Sequence, residues 1–393
     1  MIMNKLHLLL IAIIFTFSSC DDETISPLGE SGAFLTNYAN MAHANYYDAL
    51  EDAKALKTAI DAFVTDPTSS THQAAKDAWL TARESYGTTE AFRFAGGPID
   101  EYGEAPEGAL NAWPLDEAYV DYIDNNGNIE NTGIINDGIT TIDAATLESL
   151  NEQGGEANIS IGYHAIEFLL WGQDNTDPSA ELAGQRSHTD FIDGQGSGVI
   201  SNEIERGNYL KAVVGLLIDH LQYVVDEWDA TNTNNYRAAF LAGDADDLVK
   251  AIIQSIAIFS KGELAGERMI VAYTNKDQED EHSCFSDNTH RDIILNAQGV
   301  NNIYNGRYGT VAGIGLADLV ALANESINTE ILNLLNQIKT DNALIHVPFD
   351  HAISNDSYRP QVLTAANNLK DLGDKLVEAA NALGFTVSAE LPE

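Results

Sequence analysis

The sequence predicts an all-α protein, most simply two helical bundles in tandem. Three observations carry that expectation. Apolar residues recur at helical spacing over several long stretches, strand-type alternation is nearly absent, and clusters of Pro, Gly and Asn separate the stretches. A chain of 393 residues suggests two units rather than one, and a hydrophobic fraction of 44% is enough for a sizeable core.

At the amino terminus Lys5 precedes an apolar run from Leu6 to Phe17. The run is too short to span a bilayer and has the layout of a secretory signal. Ser18-Ser19-Cys20 resembles the end of a bacterial lipoprotein signal, with cleavage before Cys20 and acylation of its thiol, although Phe17 replaces the more usual Leu. Asp21-Asp22-Glu23 resembles the acidic export tag of surface lipoproteins. Residues 1–19 are therefore expected to be a signal peptide and residues 20–32 an acidic tether. The protein would be lipid-anchored to the bacterial outer membrane, periplasmic or surface-exposed. The plainer reading is an ordinary cleaved signal with an incidental Cys. With Cys20 acylated, Cys284 has no disulfide partner in the chain.

The first bundle is expected over residues 33–230. Its first helix, from about 34 to 64, carries Leu50, Ala53, Leu56, Ile60 and Val64 and is stopped by Asp66-Pro67. A second, from about 71 to 94, sets Trp79, Arg83, Tyr86, Glu90 and Arg93 along one face. A face mixing aromatics with opposite charges reads as a polar network lining a site, or as ordinary pairs on a half-exposed helix. Trp113-Pro114-Leu115-Asp116 should open a short helix with Pro in its first turn. Asn125 to Asn128 is a turn, and Ala144 to Gln153 another short helix. Residues 173–198 read as a long surface connection. Within it Asp174-Asn175-Thr176-Asp177 has part of a calcium-loop pattern, but the rest is missing and no site is assigned there. A regular helix from Tyr209 to Trp228 closes the bundle, and Asn232 to Asn235 is the link.

The second bundle is expected over residues 236–393. A helix from Asp244 to Tyr273 carries Glu263, Glu267 and Arg268, and an irregular segment runs from Asn275 to Ser283. Amphipathic helices follow from Leu316 to Ile338 and from Val362 to Leu383, the last closed by Gly384. Phe385 to Glu390 is at most a short strand. The halves echo each other: Glu90 and Arg93 before His164, Glu263 and Arg268 before His290. An internal duplication would give this pattern, with Ile293 standing where Glu167 stands in the first copy.

The chemistry concentrates in Ile161-Gly162-Tyr163-His164-Ala165-Ile166-Glu167-Phe168-Leu169-Leu170-Trp171-Gly172. His164 and Glu167 are its only strongly polar side chains. Three residues apart on a helix, they lie about 60° from each other around the axis and can converge on one small target such as a metal ion. Buried in apolar surroundings they must be paired, hydrogen-bonded or metal-bound. The alternative is that they satisfy each other or a backbone group. Elsewhere the charge decides a negative: 60 acidic against 20 basic residues, net −40, repels nucleic acid phosphates and anionic lipid.

Gly162-x-His164-x-x-Glu167 resembles the GxHxxE motif of the imelysin-like family, whose members include the iron-regulated protein A branch. The likeness extends to Trp79-x-x-x-Arg83-x-x-Tyr86, Glu90-Ala91-Phe92-Arg93-Phe94, Trp113-Pro114-Leu115-Asp116 and the segment Glu279 to His290. It implies two helical bundles with a pocket lined by motif residues, in an extracytoplasmic protein tied to iron acquisition and often lipid-anchored. The expected function is binding of iron, or of an iron-bearing ligand, at a site containing His164 and Glu167. Iron is favoured, with zinc or copper compatible with the same ligands. Tyr86, Glu90, Arg93, Asp116, Arg268, Asp287 and His290 are candidate pocket residues, the arginines holding carboxylates or an anionic ligand. Partners would be the iron ligand, the membrane through the lipid alone, and outer-membrane iron-uptake proteins. One alternative is a metallopeptidase, the family's nominal activity. It lacks support in the motif, because Glu167 is followed by Phe168 and no third zinc ligand lies at helical spacing. The other is a non-catalytic interaction lipoprotein with a structural His-Glu pair.

Overall fold

The computed structural model describes residues 27–196 and 202–391. The expected signal peptide and Cys20 lie outside the described residues. The long helices are α1 (Ser31–Thr65), α2 (Ser69–Thr89), α3 (Gly162–Trp171), α4 (Glu203–Trp228), α5 (Ala245–Ile258), α6 (Thr289–Asn305), α7 (Leu316–Asn342) and α8 (Arg359–Ala382). The class is all-α; the described strands make only two small hairpins, Ile123–Asn125 with Asn128–Glu130 and Arg307–Tyr308 with Val311–Ala312.

The helix boundaries follow local chemistry. The tether expected to reach residue 32 gives way earlier: Pro27–Glu30 is a 3₁₀ turn whose Leu28 packs on the core, and α1 begins at the buried Ser31. Thr68 and Thr71 cap α2 reciprocally: each hydroxyl oxygen accepts the other's backbone N–H, at 3.0 and 3.2 Å. Helix α2 ends at Thr89 rather than near 94. A 3₁₀ turn, Glu90–Phe92, follows, Arg93 is extended, and Phe94 takes a φ of 62°. Arg93 thus leaves the face on which helical spacing had placed it. The Trp113–Pro114 bond is cis, and the short helix there starts only at Glu117, capped by Asp116. Residues 385–390 form no strand.

Helix α6 was not expected from the sequence. Its buried apolar positions, Ile293, Val300, Ile303 and Tyr304, are interleaved with Asn296, Asn301, Asn302, Asn305 and Gly299, which hide the periodicity. Helix α5 continues without a break into a π-helix, Phe259–Val271.

Two sets of helices pack together. Helix α1 lies along α2 and α4, with α3 against α2 and α4; α8 lies along α7, α5 and the π-helix. Helix α6 sits between the sets, against α2 on one side and α7 on the other, and one apolar cluster runs through both. Tyr236 and Phe240 pack edge-to-face with Trp228, and Phe240 stacks on Tyr38, so the chain passes to the second set only with α5. The internal duplication is not confirmed.

The α2–α6 crossing is made by two glycines. A Cβ on Gly87 would lie 2.8 Å from Leu295 Cβ, and one on Gly299 would lie 2.5 Å from the Thr88 carbonyl oxygen. Contacts of that length force a shift of backbone, so the helices meet this closely only because no side chain intervenes. On an exposed helix Gly→Ala stabilises by about 1 kcal/mol. Here Gly299→Ala is expected to destabilise instead, by roughly 1–3 kcal/mol as overpacking does. Denaturant unfolding of the variant checks the sign.

Candidate functional site

The site is built around the first turns of α3. Gly162, the first residue of the helix, has a φ of 88°, and a Cβ there would lie 2.7 Å from the Leu110 carbonyl oxygen. Glycine is therefore required on two grounds, conformation and close approach. The contact sets α3 against Glu107–Leu110 and turns His164 and Glu167 inward, where both are fully buried.

The pair meets, and it also meets the second helix set. His164 Nδ1 lies 2.9 Å from Glu167 Oε2. Glu167 Oε1 accepts the Ser286 backbone N–H at 2.9 Å and the Ser286 hydroxyl at 2.6 Å. Both oxygens of Glu167 are thus engaged within the protein, and the carboxyl orients His164. The second imidazole beside it is His282, whose ring lies edge-on at 4.8 Å between centroids. His290, the residue picked by the apparent repeat, is elsewhere: it sits half-buried in the first turn of α6 with Nδ1 3.1 Å from the Asp287 carbonyl oxygen.

His282 repeats the arrangement of His164. Its Nδ1 lies 2.8 Å from Asp292 Oδ2, which also accepts the Ser283 hydroxyl at 2.5 Å. Asp292 Oδ1 accepts from Arg83 Nη2 at 3.0 Å, and Arg83 Nη1 donates to Asn111 Oδ1 at 2.6 Å. Burial would raise the Asp292 carboxyl, but Arg83 and His282 hold it well below the usual carboxylate range. The Arg83 guanidinium is enclosed by Trp79, Tyr86 and Tyr163. The aromatics on the mixed face of α2 therefore shield a buried ion pair between the two helix sets.

A second ion-pair group lies alongside. Arg268 Nη2 donates to Glu90 Oε2 at 2.6 Å and to Glu263 Oε1 at 2.8 Å, and its Nη1 donates to Asn296 Oδ1 at 2.8 Å. Arg93 Nη1 lies 3.1 Å from Glu107 and 3.5 Å from Glu263. The π-helix makes part of this possible. Residues five apart on an α-helix point about 140° away from each other. In i→i+5 bonding they fall one turn apart, which sets Glu263 beneath Arg268.

Both groups border a cavity of about 370 Å³, lined among others by Arg93, Glu107, Asn111, Trp113, Glu263, Arg268 and His282. Exposed Glu152, Glu156 and Glu267 form its rim. Two of its lining residues bury polar atoms without a protein partner, Arg93 Nε and Asn111 Nδ2. In the adjoining buried network Arg83 Nε, Tyr86 OH, Glu90 Oε1, Tyr163 OH and His164 Nε2 are likewise unpartnered; His164, Glu167, Tyr86 and Glu90 do not line the cavity themselves. Such atoms are rare in native cores and ask for water or a ligand.

Of the residues singled out from the sequence, His164, Glu167, Tyr86, Glu90, Arg93 and Arg268 are brought together here. Asp116 is not: it is exposed, and its Oδ1 accepts the Ala118 N–H at 3.0 Å as a helix cap. Asp287 belongs to a different cluster, with Asp174 and Asp350. Among the described residues, His164 and Glu167 do not join a third His, Cys, Asp or Glu in a converging group. His282, Asp292, Arg83, Glu107 and Ser286 complete the site, and only the likeness of the Glu279 to His290 segment pointed toward His282.

Known proteins resemble this chain in sequence and in fold. The sequence model of the imelysin family matches residues 42–376. Iron-regulated protein A of Synechococcus elongatus is 24% identical over 309 residues, 73% of this chain and 70% of its own length. A crystal structure from Parabacteroides distasonis, assigned as an iron-regulated protein A precursor, superposes with a TM-score of 0.68 at 17% identity, covering 90% of this chain and 95% of that one. An imelysin-like protein of Psychrobacter arcticum gives 0.61 at 13% identity, covering 92% and 98%. At these identities the structural likeness shows the fold.

Burial pushes the Glu167 carboxyl up to about 8 and the His164 imidazole down to about 3. The folded state therefore keeps a proton on Glu167 that the unfolded chain, titrating at about 4.3, has lost. Its stabilising contribution is fully present below about pH 4 and declines as pH rises toward 8. Thermal melts of Glu167→Gln, which cannot ionise, are expected to fall less between pH 5 and 8 than those of the unaltered protein. A second expectation concerns Arg83. Replacing Asp292 by Ala leaves its guanidinium buried and unpaired, which should cost about 3–5 kcal/mol in denaturant unfolding.

Proposed function

The chain belongs to the imelysin family, and from that premise we propose that it is an iron-related binding protein. In this reading the acid-rimmed cavity beside His282 takes an iron ion or a small iron-bearing ligand. The observation that carries the proposal is the set of unpartnered buried polar atoms in the cavity wall and the network behind it, together with two imidazoles, His282 in the wall and His164 packed against it, each held at Nδ1 by a carboxyl group.

The residues have distinct tasks. Glu152, Glu156 and Glu267 give the mouth a negative potential that concentrates cations. Asp292 fixes the ring of His282 and leaves Nε2 as its ligand nitrogen, the carboxylate–histidine arrangement common at metal centres. Glu167 does the same for His164 once it is ionised: Nδ1–H then donates to Oε2, and Nε2 carries the lone pair. Metal capture at His164 is thereby linked to proton release. Arg93 and Arg268 hold Glu90, Glu107 and Glu263 in place. Imidazole and carboxylate ligands suit iron and accept zinc or copper.

The sequence supports a wider setting for this activity: export through the amino-terminal segment, acylation at Cys20, residence at the outer membrane, and transfer of the captured iron to uptake proteins there. The likeness to iron-regulated protein A supports the choice of iron.

The test is equilibrium binding of ferrous and ferric iron to the purified protein, read by calorimetry and metal analysis. Saturable binding is expected. His282→Ala and His164→Ala should each weaken it at least tenfold while circular dichroism keeps the helical signal. Unchanged binding in both variants would reject the proposal.

A further inference from the structure

A second cluster of acids lies outside the cavity that opens on His282. Asp174 is three residues past the end of α3, Asp287 lies in the loop before α6, and Asp350 is in the short helix Phe349–Ser354. These remote segments converge: one ligand oxygen from each carboxylate lies within 4.8 Å of the other two. Calcium binds oxygens at about 2.3–2.6 Å, so two ligands of one ion can be no more than about 5 Å apart. The three acids meet that limit.

The side chains are also oriented for it. Asp174 and Asp350 are 3% and 2% exposed. One oxygen of each is anchored: Asp174 Oδ1 accepts from the N–H and hydroxyl of Thr176 at 3.0 and 2.8 Å, and Asp350 Oδ1 accepts the His351 N–H at 2.5 Å. The other oxygen of each, and Oδ1 of Asp287, is buried with no partner. Glu281 stands close enough to feel Asp350 and Asp287 as like charges and is 1% exposed, with the Thr289 hydroxyl beside its carboxyl group. None of the four forms an ion pair among the described residues, whereas the buried Glu90, Asp121 and Asp292 each hold an arginine. Burial and the neighbouring carboxylates push Asp350 up to about 6 and Asp287 up to about 8.

We propose that Asp174, Asp287 and Asp350, with Glu281 beside them, form a calcium-binding site. The donor set is oxygen alone, which selects a hard cation, and no imidazole or thiol belongs to the converging trio. Buried carboxylates from three segments favour calcium over magnesium, which keeps several waters and near-octahedral geometry. The neighbouring Glu181, His346 and His351 are a different group, in which both imidazoles already bond to Glu181 Oε1 at 3.0 Å. A bound ion would tie the loop after α3 to the loop whose Ser286 holds Glu167. It would thus brace the imidazole pair from behind without touching it.

The experiment is calorimetric titration of chelator-treated full chain with calcium chloride, and separately with magnesium chloride. One calcium per chain is expected, bound more tightly than magnesium. Asp174→Asn and Asp350→Asn should each weaken binding at least tenfold. Each removes a repelling charge, so their calcium-free melting temperatures should equal or exceed that of the unaltered protein. His164→Ala should bind calcium normally, which separates this site from the iron reading. Absence of saturable calcium binding, unchanged affinity in both Asn variants, or magnesium binding as tight as calcium would overturn the proposal.

Discussion

Charges buried in a helical core have to be matched, and here the matching runs between the two helix sets. Arg83 of α2 reaches Asp292 of α6, 209 residues away, and Arg268 of the π-helix reaches Glu90, 178 residues away. Desolvating an arginine and a carboxylate costs about as much as their attraction returns, so such pairs add little net stability. What they impose is register. Any other seating of α6 on α2 would strand at least one buried charge. The glycines at 87 and 299 let the backbones come close enough for these side chains to reach.

The long helices were legible because their apolar stripes repeat every three or four residues over many turns. Their ends were less so. Helix α2 stops at Thr89 because Arg93 and Phe94 adopt non-helical backbone angles, and nothing in the stripe announces that. Helix α6 was hidden by its asparagines, one of which serves the interior: the Asn296 amide donates to the Gly87 carbonyl oxygen at 2.9 Å and its oxygen receives Arg268.

The site divides in the same way. His164 and Glu167 are three residues apart, and Tyr86, Glu90 and Arg93 lie close in sequence, so local spacing could find them. His282 and Asp292 are ten residues apart across a loop, and the apparent repeat of the two halves points to His290 instead. Glu263 and Arg268 share a face only in a π-helix, which a period of 3.6 cannot show. Asp350 has no local pattern at all, and the fragment at Asp174 lacked partners because they come from elsewhere in the fold.

The route of the charge network bears on how this chain can come apart. A cut after Asn235 would leave Arg83 and Glu90 on one fragment and Asp292 and Arg268 on the other. Each piece would carry a torn apolar surface and ions with their counterparts gone. Neither half is then a self-sufficient module, however cleanly the helices sort into two groups. Separating the two groups would thus cost more than the apolar contact between them.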